Sequence, residues 1–181
     1  MRARKKKNCD ARLERCSDYI IDKIVVPPEN DKPVFLEIGC GKGRFAVETA
    51  EKENCLFFAV EIMKDIIVMA IEKGAKRGLD NIKYKIGSAD DILEFCPENC
   101  VDTLFLNFCD PWPKKRNAKR RLTYRAYLEK YKKYSKKTVS SPLKPITTRF
   151  SRFPSKSLKK AALKYTTTPK TFTKAAFTTL P

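Results

Sequence analysis

The chain has 181 residues, enough for one domain around a single hydrophobic core, and it carries a formal net charge of +18. It contains no histidine, which excludes a histidine general base, a Ser-His or Cys-His couple and any His-ligated metal site. Its seven cysteines show no Cys-x-x-Cys pattern, so we expect buried thiols in a cytoplasmic protein, with no disulfide and no metal. The N-terminus is basic, but no apolar segment follows it, so we expect no signal peptide. We also expect no membrane span, because no apolar run in the sequence is long enough.

The net charge is distributed unevenly along the chain. Residues 1–129 hold 25 Lys and Arg against 21 Asp and Glu, whereas residues 130–181 hold 14 basic residues and no acidic one. We predict a basic N-terminal arm and helix over residues 1–32, a folded domain over residues 33–133 and a basic tail rich in Ser, Thr, Lys and Pro over residues 134–181.

Strands and helices are predicted to alternate through the folded domain. Apolar and β-branched runs predict strands at residues 34–38, 56–60, 82–86 and 101–108. Apolar residues at helical spacing predict helices at residues 44–52, 64–77, 92–95 and 123–133. This alternation predicts an α/β fold with a Rossmann-like, doubly wound and mostly parallel sheet. The tail shows no such alternation of strand and helix patterns, so the C-terminal strands of the sheet are expected to be missing or scrambled.

A glycine-rich segment, Glu37-Ile-Gly39-Cys-Gly41-Lys-Gly43, follows the first predicted strand. Glycines let the backbone turn tightly and approach a ligand closely. The spacing is G-x-G-x-G, whereas the dinucleotide fingerprint is G-x-G-x-x-G, which disfavours a nicotinamide-dependent oxidoreductase. Glu37 suits S-adenosylmethionine, whose amino group and sulfonium are cationic. We therefore predict a cofactor loop containing Glu37, Gly39 and Gly41, with a purely structural turn as the alternative.

Polar residues also follow the second and third predicted strands. A carboxylate at Glu61 can accept hydrogen bonds from both ribose hydroxyls of a nucleoside, although a solvated loop acid is the alternative. Ser88 and Ala89 lie where an adenine ring is expected, and Ser88, Asp90 or a backbone group can meet its amino group. The alternative for Ser88 and Asp90 is a helix N-cap.

The segment Asp110-Pro-Trp-Pro-Lys-Lys-Arg, followed by Asn117-Ala-Lys-Arg-Arg121, places a carboxylate just after the fourth predicted strand and before a basic run. Ligands of open α/β sheets bind at the carboxyl ends of strands, so this position indicates chemistry on a polyanion. We predict phosphate contacts of the kind that dominate nucleic-acid affinity from Lys114, Lys115, Arg116, Arg120 and Arg121. Trp112 either stacks on a base or anchors the loop between its prolines.

Two motifs together resemble a known family. Leu36-Glu-Ile-Gly-Cys-Gly-Lys-Gly43 and the long stretch from Asn107 to Tyr124 are similar to bacterial tRNA (guanine-N7-)-methyltransferase. The resemblance implies a class I methyltransferase fold over residues 33–133, S-adenosylmethionine as donor and the variable-loop guanine of tRNA as target. It implies cofactor contacts by Glu37, Glu61 and Asp110, a catalytic role for Asp110 and a substrate contact by Lys114.

The chain also departs from the family pattern. Asn117 replaces a histidine, Ser88 replaces an acid near the adenine, and the later F-x-T-D strand and T-E-Y-E segment are absent. The expected partner is tRNA. The chain is expected to be a monomer or a homodimer, and no membrane association is expected. The alternative function is a non-catalytic RNA-binding or cofactor-binding remnant of the enzyme.

The tail predicts a change of reading frame. Residues 138–148 can be encoded by bases that, read one position earlier, give D-G-E-L-P-F-K-T-D-N-N, which restores the missing F-x-T-D strand. We expect the frame to slip between about residues 130 and 135, the alternative being an ordinary basic tail. Sequencing the gene across codons 130–140 tests this, and the hypothesis fails if the shifted codons are absent.

Overall fold

The fold is built on a parallel sheet of five strands. A computed structural model describes residues 7–107, 112, 114–136 and 147–149, the last three and Lys115 by their backbone alone. The strands are β1 Val34–Ile38, β2 Leu56–Glu61, β3 Ile82–Ile86, β4 Thr103–Asn107 and β5 Thr147–Arg149. They lie in the order β3-β2-β1-β4-β5, so the direction of winding reverses between β1 and β4. The predicted doubly wound α/β fold is confirmed.

The helices cover both faces of the sheet. They are α1 Cys9–Glu14, α2 Arg44–Lys52, α3 Lys64–Lys76, α4 Ile92–Phe95 and α5 Arg125–Tyr134, with 3-10 turns at Ser17–Tyr19 and Lys115–Arg120. The bounds of α2 and α4 agree with the prediction, and those of α3 and α5 differ by one or two residues. No helix within the described part of the chain is long and apolar enough to cross a membrane.

Strands β1, β2 and β4 each contribute to two apolar clusters because successive side chains point to opposite faces. Leu36 and Ile38 of β1 pack with Tyr131 and Tyr134 of α5 on one face. Phe57 and Ala59 of β2 belong to the cluster beneath α2 and α3 on the other face. Burial on both faces explains why these strands are almost continuously apolar.

The fifth strand was not predicted from the sequence. Thr147–Arg149 pairs in parallel with β4, with Phe105 opposite Thr147 and Asn107 opposite Arg149. Strand pairing is made by backbone amides and carbonyls, so a polar segment can occupy the edge of β4 without an apolar pattern of its own.

The N-terminal helix packs onto the domain. The Arg12 guanidinium on α1 forms a two-point contact with the Glu72 carboxylate on α3, with an Nε to Oε1 distance of 2.6 Å. The Ile21 amide donates to the Tyr84 carbonyl of β3 at 2.9 Å. The segment before β1 therefore lies against α3 and the β3 edge.

Candidate active site

A cleft of about 220 Å³ opens at the carboxyl edge of the sheet. It lies between the loops that follow β1, β2 and β3 and the segment that leads into α5. Its walls are formed by Ile38, Gly39, Glu61, Ile62, Gly87, Ser88, Ala89, Trp112, Arg120, Leu122 and Tyr127. Residues from the predicted cofactor positions and from the predicted basic segment therefore share one cleft.

The glycine-rich loop borders the cleft through Gly39, which directly follows β1. Gly39 and Gly41 have φ angles of 80° and 56°, which side-chain-bearing residues rarely adopt. The Gly39 and Cys40 amides both donate to the Val60 carbonyl of β2, at 2.8 Å and 3.0 Å. A Cβ built on either glycine would meet no atom within 4 Å, so this surface of the loop is open to a ligand.

The Glu61 carboxylate holds the loops in place. Its Oε2 accepts a hydrogen bond from the Gly41 amide at 3.0 Å, and its Oε1 accepts one from the Met63 amide at 3.0 Å. The carboxylate therefore connects the loop after β1 with the loop after β2. Each oxygen keeps a second lone pair, since a carboxylate offers about four acceptor positions.

Glu37 is buried beneath the glycine-rich loop and is only 2% exposed. Its Oε1 accepts a hydrogen bond from the Asn107 amide nitrogen at 2.9 Å. Its Oε2 has no hydrogen-bond partner within the described residues. Burial raises the pKa of Glu37 to about 7, the Asn107 hydrogen bond opposes the rise, and the Glu61 charge adds to it. The site thus holds a buried carboxyl with one oxygen left for a cationic or donor group.

The raised pKa of Glu37 predicts a pH-dependent stability. Between pH 4.5 and about 7 the Glu37 carboxyl keeps its proton in the folded protein but has lost it in the unfolded protein. The contribution of Glu37 to the free energy of unfolding therefore falls as pH rises. This loss is complete above about pH 7. Glu37→Gln mimics the protonated form at every pH. We expect its gain in unfolding free energy over the unsubstituted protein to be about 2 kcal/mol larger at pH 8 than at pH 5.

Urea unfolding at the two pH values measures this difference. Glu48→Gln is the control, because Glu48 is an α2 carboxyl whose pKa is lowered by its hydrogen bond from Arg44. For Glu48→Gln, the difference in unfolding free energy from the unsubstituted protein should not become more favourable between pH 5 and pH 8. A gain for Glu37→Gln that does not change with pH would contradict the raised pKa.

The loop after β3 forms the far wall of the cleft. The Ser88 Oγ accepts a hydrogen bond from the Asp90 amide at 3.1 Å, and Asp91 is the residue that precedes α4. Neither Ser88 nor Asp90 is the helix N-cap, so that alternative is not the one adopted. The Tyr127 hydroxyl donates to the Asp90 carboxylate at 2.8 Å, which fastens α5 to this loop.

The basic segment is built around Trp112, which has a φ of 37°. The Arg120 guanidinium lies 5.0 Å from the centre of the Trp112 ring. The Arg121 guanidinium donates twice to the Trp112 carbonyl, at 3.1 Å and 2.8 Å. Lys114, Arg116 and Arg120 are exposed. Asp110 and the Lys115 side chain lie outside the described residues.

Some residues of the cleft were not predicted from the sequence. Ile62 follows Glu61 directly and is 64% exposed, which is unusual for a large apolar side chain. The sequence feature that could have pointed to Ile62 is an apolar residue placed immediately after the acid at the end of a strand. Leu122 and Tyr127 come from the segment leading into α5 and from α5 itself, and only the folded chain brings them to the cleft.

A family model described as "Putative methyltransferase" matches residues 31–141. The chain is 35% identical over 144 residues to a protein named tRNA (guanine-N(7)-)-methyltransferase from Streptococcus mutans, covering 74% of this chain and 67% of the relative. The chain belongs to the tRNA (guanine-N(7)-)-methyltransferase family. A relative of the same name from Geobacillus is 43% identical over 105 residues, which cover 58% of this chain.

The chain spans about half of the Geobacillus relative, 48% of its length. Among solved structures, a SAM-dependent methyltransferase from Aquifex aeolicus is 20% identical, with a TM-score of 0.46, covering 71% of this chain and 58% of that one. The family match extends from the residues before β1 to just beyond α5 and so includes every residue that lines the cleft.

Proposed function

We propose that this chain is a cytoplasmic enzyme that transfers a methyl group from S-adenosylmethionine to N7 of the variable-loop guanine in tRNA. One observation carries the proposal. The cleft that contains Gly39 and Glu61 is also bordered by Trp112 and Arg120, so a nucleoside-type site and a cationic, aromatic surface meet at one place. A methyl donor and an RNA substrate have to meet in this way.

The residues that line the cleft, together with the buried Glu37 next to it, fit the cofactor. Glu61 keeps free lone pairs that can accept the ribose hydroxyls while it holds the Gly41 amide. The unpartnered Oε2 of Glu37 fits a cationic group, directly or through a water molecule. Ser88 and Ala89 border the end of the cleft that suits an adenine ring. When bound, S-adenosylmethionine supplies an electrophilic methyl group.

The basic segment fits an RNA substrate. Arg120 and Trp112 form a cation–π pair at the cleft, and both side-chain types can stack on an unpaired base. Lys114 and Arg116 are exposed and carry no hydrogen-bonded acid within the described residues, which leaves them available for phosphates. Arg121 holds the Trp112 carbonyl and therefore shapes the segment, besides any phosphate contact that it makes.

The proposed chemistry agrees with a chain that has no histidine. Guanine N7 carries a lone pair and no proton, so its methylation needs no general base. The protein has to orient the base and stabilise the positive charge that develops on it. We assign that electrostatic role to Asp110, which follows β4 and lies outside the described residues.

The direct test is methyl transfer from tritiated S-adenosylmethionine to an RNA transcript. We expect labelling of tRNA and no labelling of the same tRNA with 7-deazaguanosine at the variable-loop guanine, because that base lacks the acceptor nitrogen. Binding of tRNA without labelling would instead identify a non-catalytic remnant. Equal labelling of the two transcripts would exclude N7 of that guanine as the target.

We expect Lys114→Ala to weaken tRNA binding and to reduce its salt dependence. Losing one phosphate contact lowers the slope of log K against log salt by about 1. Fluorescence anisotropy at several salt concentrations measures this slope. Lys52→Ala is the matched control, because Lys52 is also exposed but ends α2 away from the cleft. An unchanged slope for Lys114→Ala would rule out the phosphate contact.

A further inference from the structure

Two cysteine thiols lie in contact at the junction of α4 and β4. The Sγ atoms of Cys96 and Cys100 are 3.7 Å apart. Cys96 is 4% exposed, whereas Cys100 is partly exposed and within reach of a small reagent. No other pair of thiols is in contact within the described residues. The remaining described cysteines are Cys9, Cys16, Cys40 and Cys55.

The surroundings of the pair distinguish the two thiols. A hydrogen bond with Cys96 lowers the pKa of Cys100, and burial opposes this. The Lys136 ammonium also lowers the pKa, and the Asp102 carboxylate, which is ion-paired with Lys136, raises it. The same hydrogen bond, together with burial, raises the pKa of Cys96. The Cys100 thiol also lies 3.1 Å from the Pro97 carbonyl, which it can donate to while protonated. Cys100 is therefore the more readily ionised and the more accessible of the two.

We propose that Cys96 and Cys100 are a redox-active dithiol site, which a small disulfide oxidant such as glutathione disulfide closes into an intramolecular disulfide. The Cys100 thiolate attacks one sulfur of the oxidant, forms a mixed disulfide and releases one glutathione thiolate. Cys96 then loses its proton, attacks the Cys100 sulfur of the mixed disulfide and releases the second glutathione thiolate. Two cysteine thiols are oxidised to one disulfide, and one glutathione disulfide is reduced to two thiols.

The site lies directly against the end of α5. The Asn99 amide donates to the Lys133 carbonyl at 2.9 Å, and the Val101 amide donates to the Tyr134 carbonyl at 2.9 Å. Asn99, between the two cysteines, has a φ of 54°. Bond formation draws the sulfurs together to about 2.05 Å, and a close-packed interior absorbs such a shift by moving its neighbours. Oxidation therefore loosens the contact between this turn and α5.

The first test is disulfide mapping of the native protein after incubation with glutathione disulfide and alkylation of the remaining thiols. Protease cleavage after Glu98 and Asp102 separates Cys96 and Cys100 from each other and from Cys109. We expect the peptides that contain Cys96 and Cys100 to remain linked until dithiothreitol is added. A native protein that carries glutathione on Cys100, with Cys96 still alkylated, would overturn the proposal.

Variants make the mapping specific. Cys100→Ser should abolish the linked product, and Cys96→Ala should leave a stable glutathione adduct on Cys100. Cys16→Ser, which removes another partly exposed thiol, is the matched control and should form the linked product at the normal rate. The absence of a glutathione adduct on Cys100 in Cys96→Ala, or a glutathione adduct that forms on Cys96 in Cys100→Ser as fast as the linked product forms in the unsubstituted protein, would overturn the proposal.

The second test is hydrogen exchange of the reduced and oxidised protein. We expect the amides of Asn99, Val101 and Lys136, which bridge the turn and the end of α5, to exchange several-fold faster after oxidation. The amides of α3 should not change. Equal exchange in both states would overturn the link to α5. Neither test measures methyl transfer, so the outcome is independent of the function proposed above.

Discussion

Gly43→Ala is expected to lower the free energy of unfolding by about 3 kcal/mol, because a close helix contact and a strained backbone both oppose a side chain. Gly43 precedes α2 with a φ of 68°. A Cβ at this position would overlap the Cβ of Ala70 on α3 and would lie 2.9 Å from its Cα. Relief requires α2 and α3 to move apart, which disturbs the apolar cluster between them.

Gly78→Ala is the matched control for this change. Gly78 follows α3 with a φ of 63°, but a Cβ there would meet no atom within 4 Å. Alanine at this position adds backbone strain alone, so we expect a loss of about 1 kcal/mol. Urea unfolding of the two variants separates the packing contribution from the strain. Equal losses would show that α2 and α3 can separate at little cost.

Asp110→Ala is expected to reduce methyl transfer by about 10²–10³-fold, the effect of removing one electrostatic partner of the developing charge. Asp110→Asn should lose nearly as much, because the amide keeps the size of the side chain and removes its charge. Both variants should keep the unfolding midpoint and the tRNA affinity. Single-turnover labelling of tRNA measures the rate of transfer.

Asp80→Ala is the control for Asp110. Asp80 is an exposed acid in the turn before β3, at the opposite edge of the sheet, and its removal should leave the rate unchanged. A normal rate in Asp110→Ala would remove Asp110 from the mechanism. A slow Asp110→Ala with a lowered unfolding midpoint would instead indicate a structural role.

The sequence alone was sufficient to locate the first four strands and the helices that follow them. β1 and β3 agree with the predicted bounds, because short β-branched and aromatic runs ending in glycine or acid have few other local structures available. The glycine-rich loop was also predictable, since three glycines in five residues after a strand indicate a tight turn. β5 was not predictable, because its pairing depends on the free edge of β4 and not on its own side chains.

The site shows the same division. Its sequence identified Glu37, Glu61 and the basic segment as chemically suited to a methyl donor and an RNA. Only the tertiary structure decided how they are arranged. In the folded chain, the Glu61 carboxylate accepts a hydrogen bond from the Gly41 amide. Glu37 is buried, which raises its pKa, and its hydrogen-bond partner Asn107 comes from a strand 70 residues away. Residue types follow from local chemistry, whereas burial and partners follow from how distant strands pack.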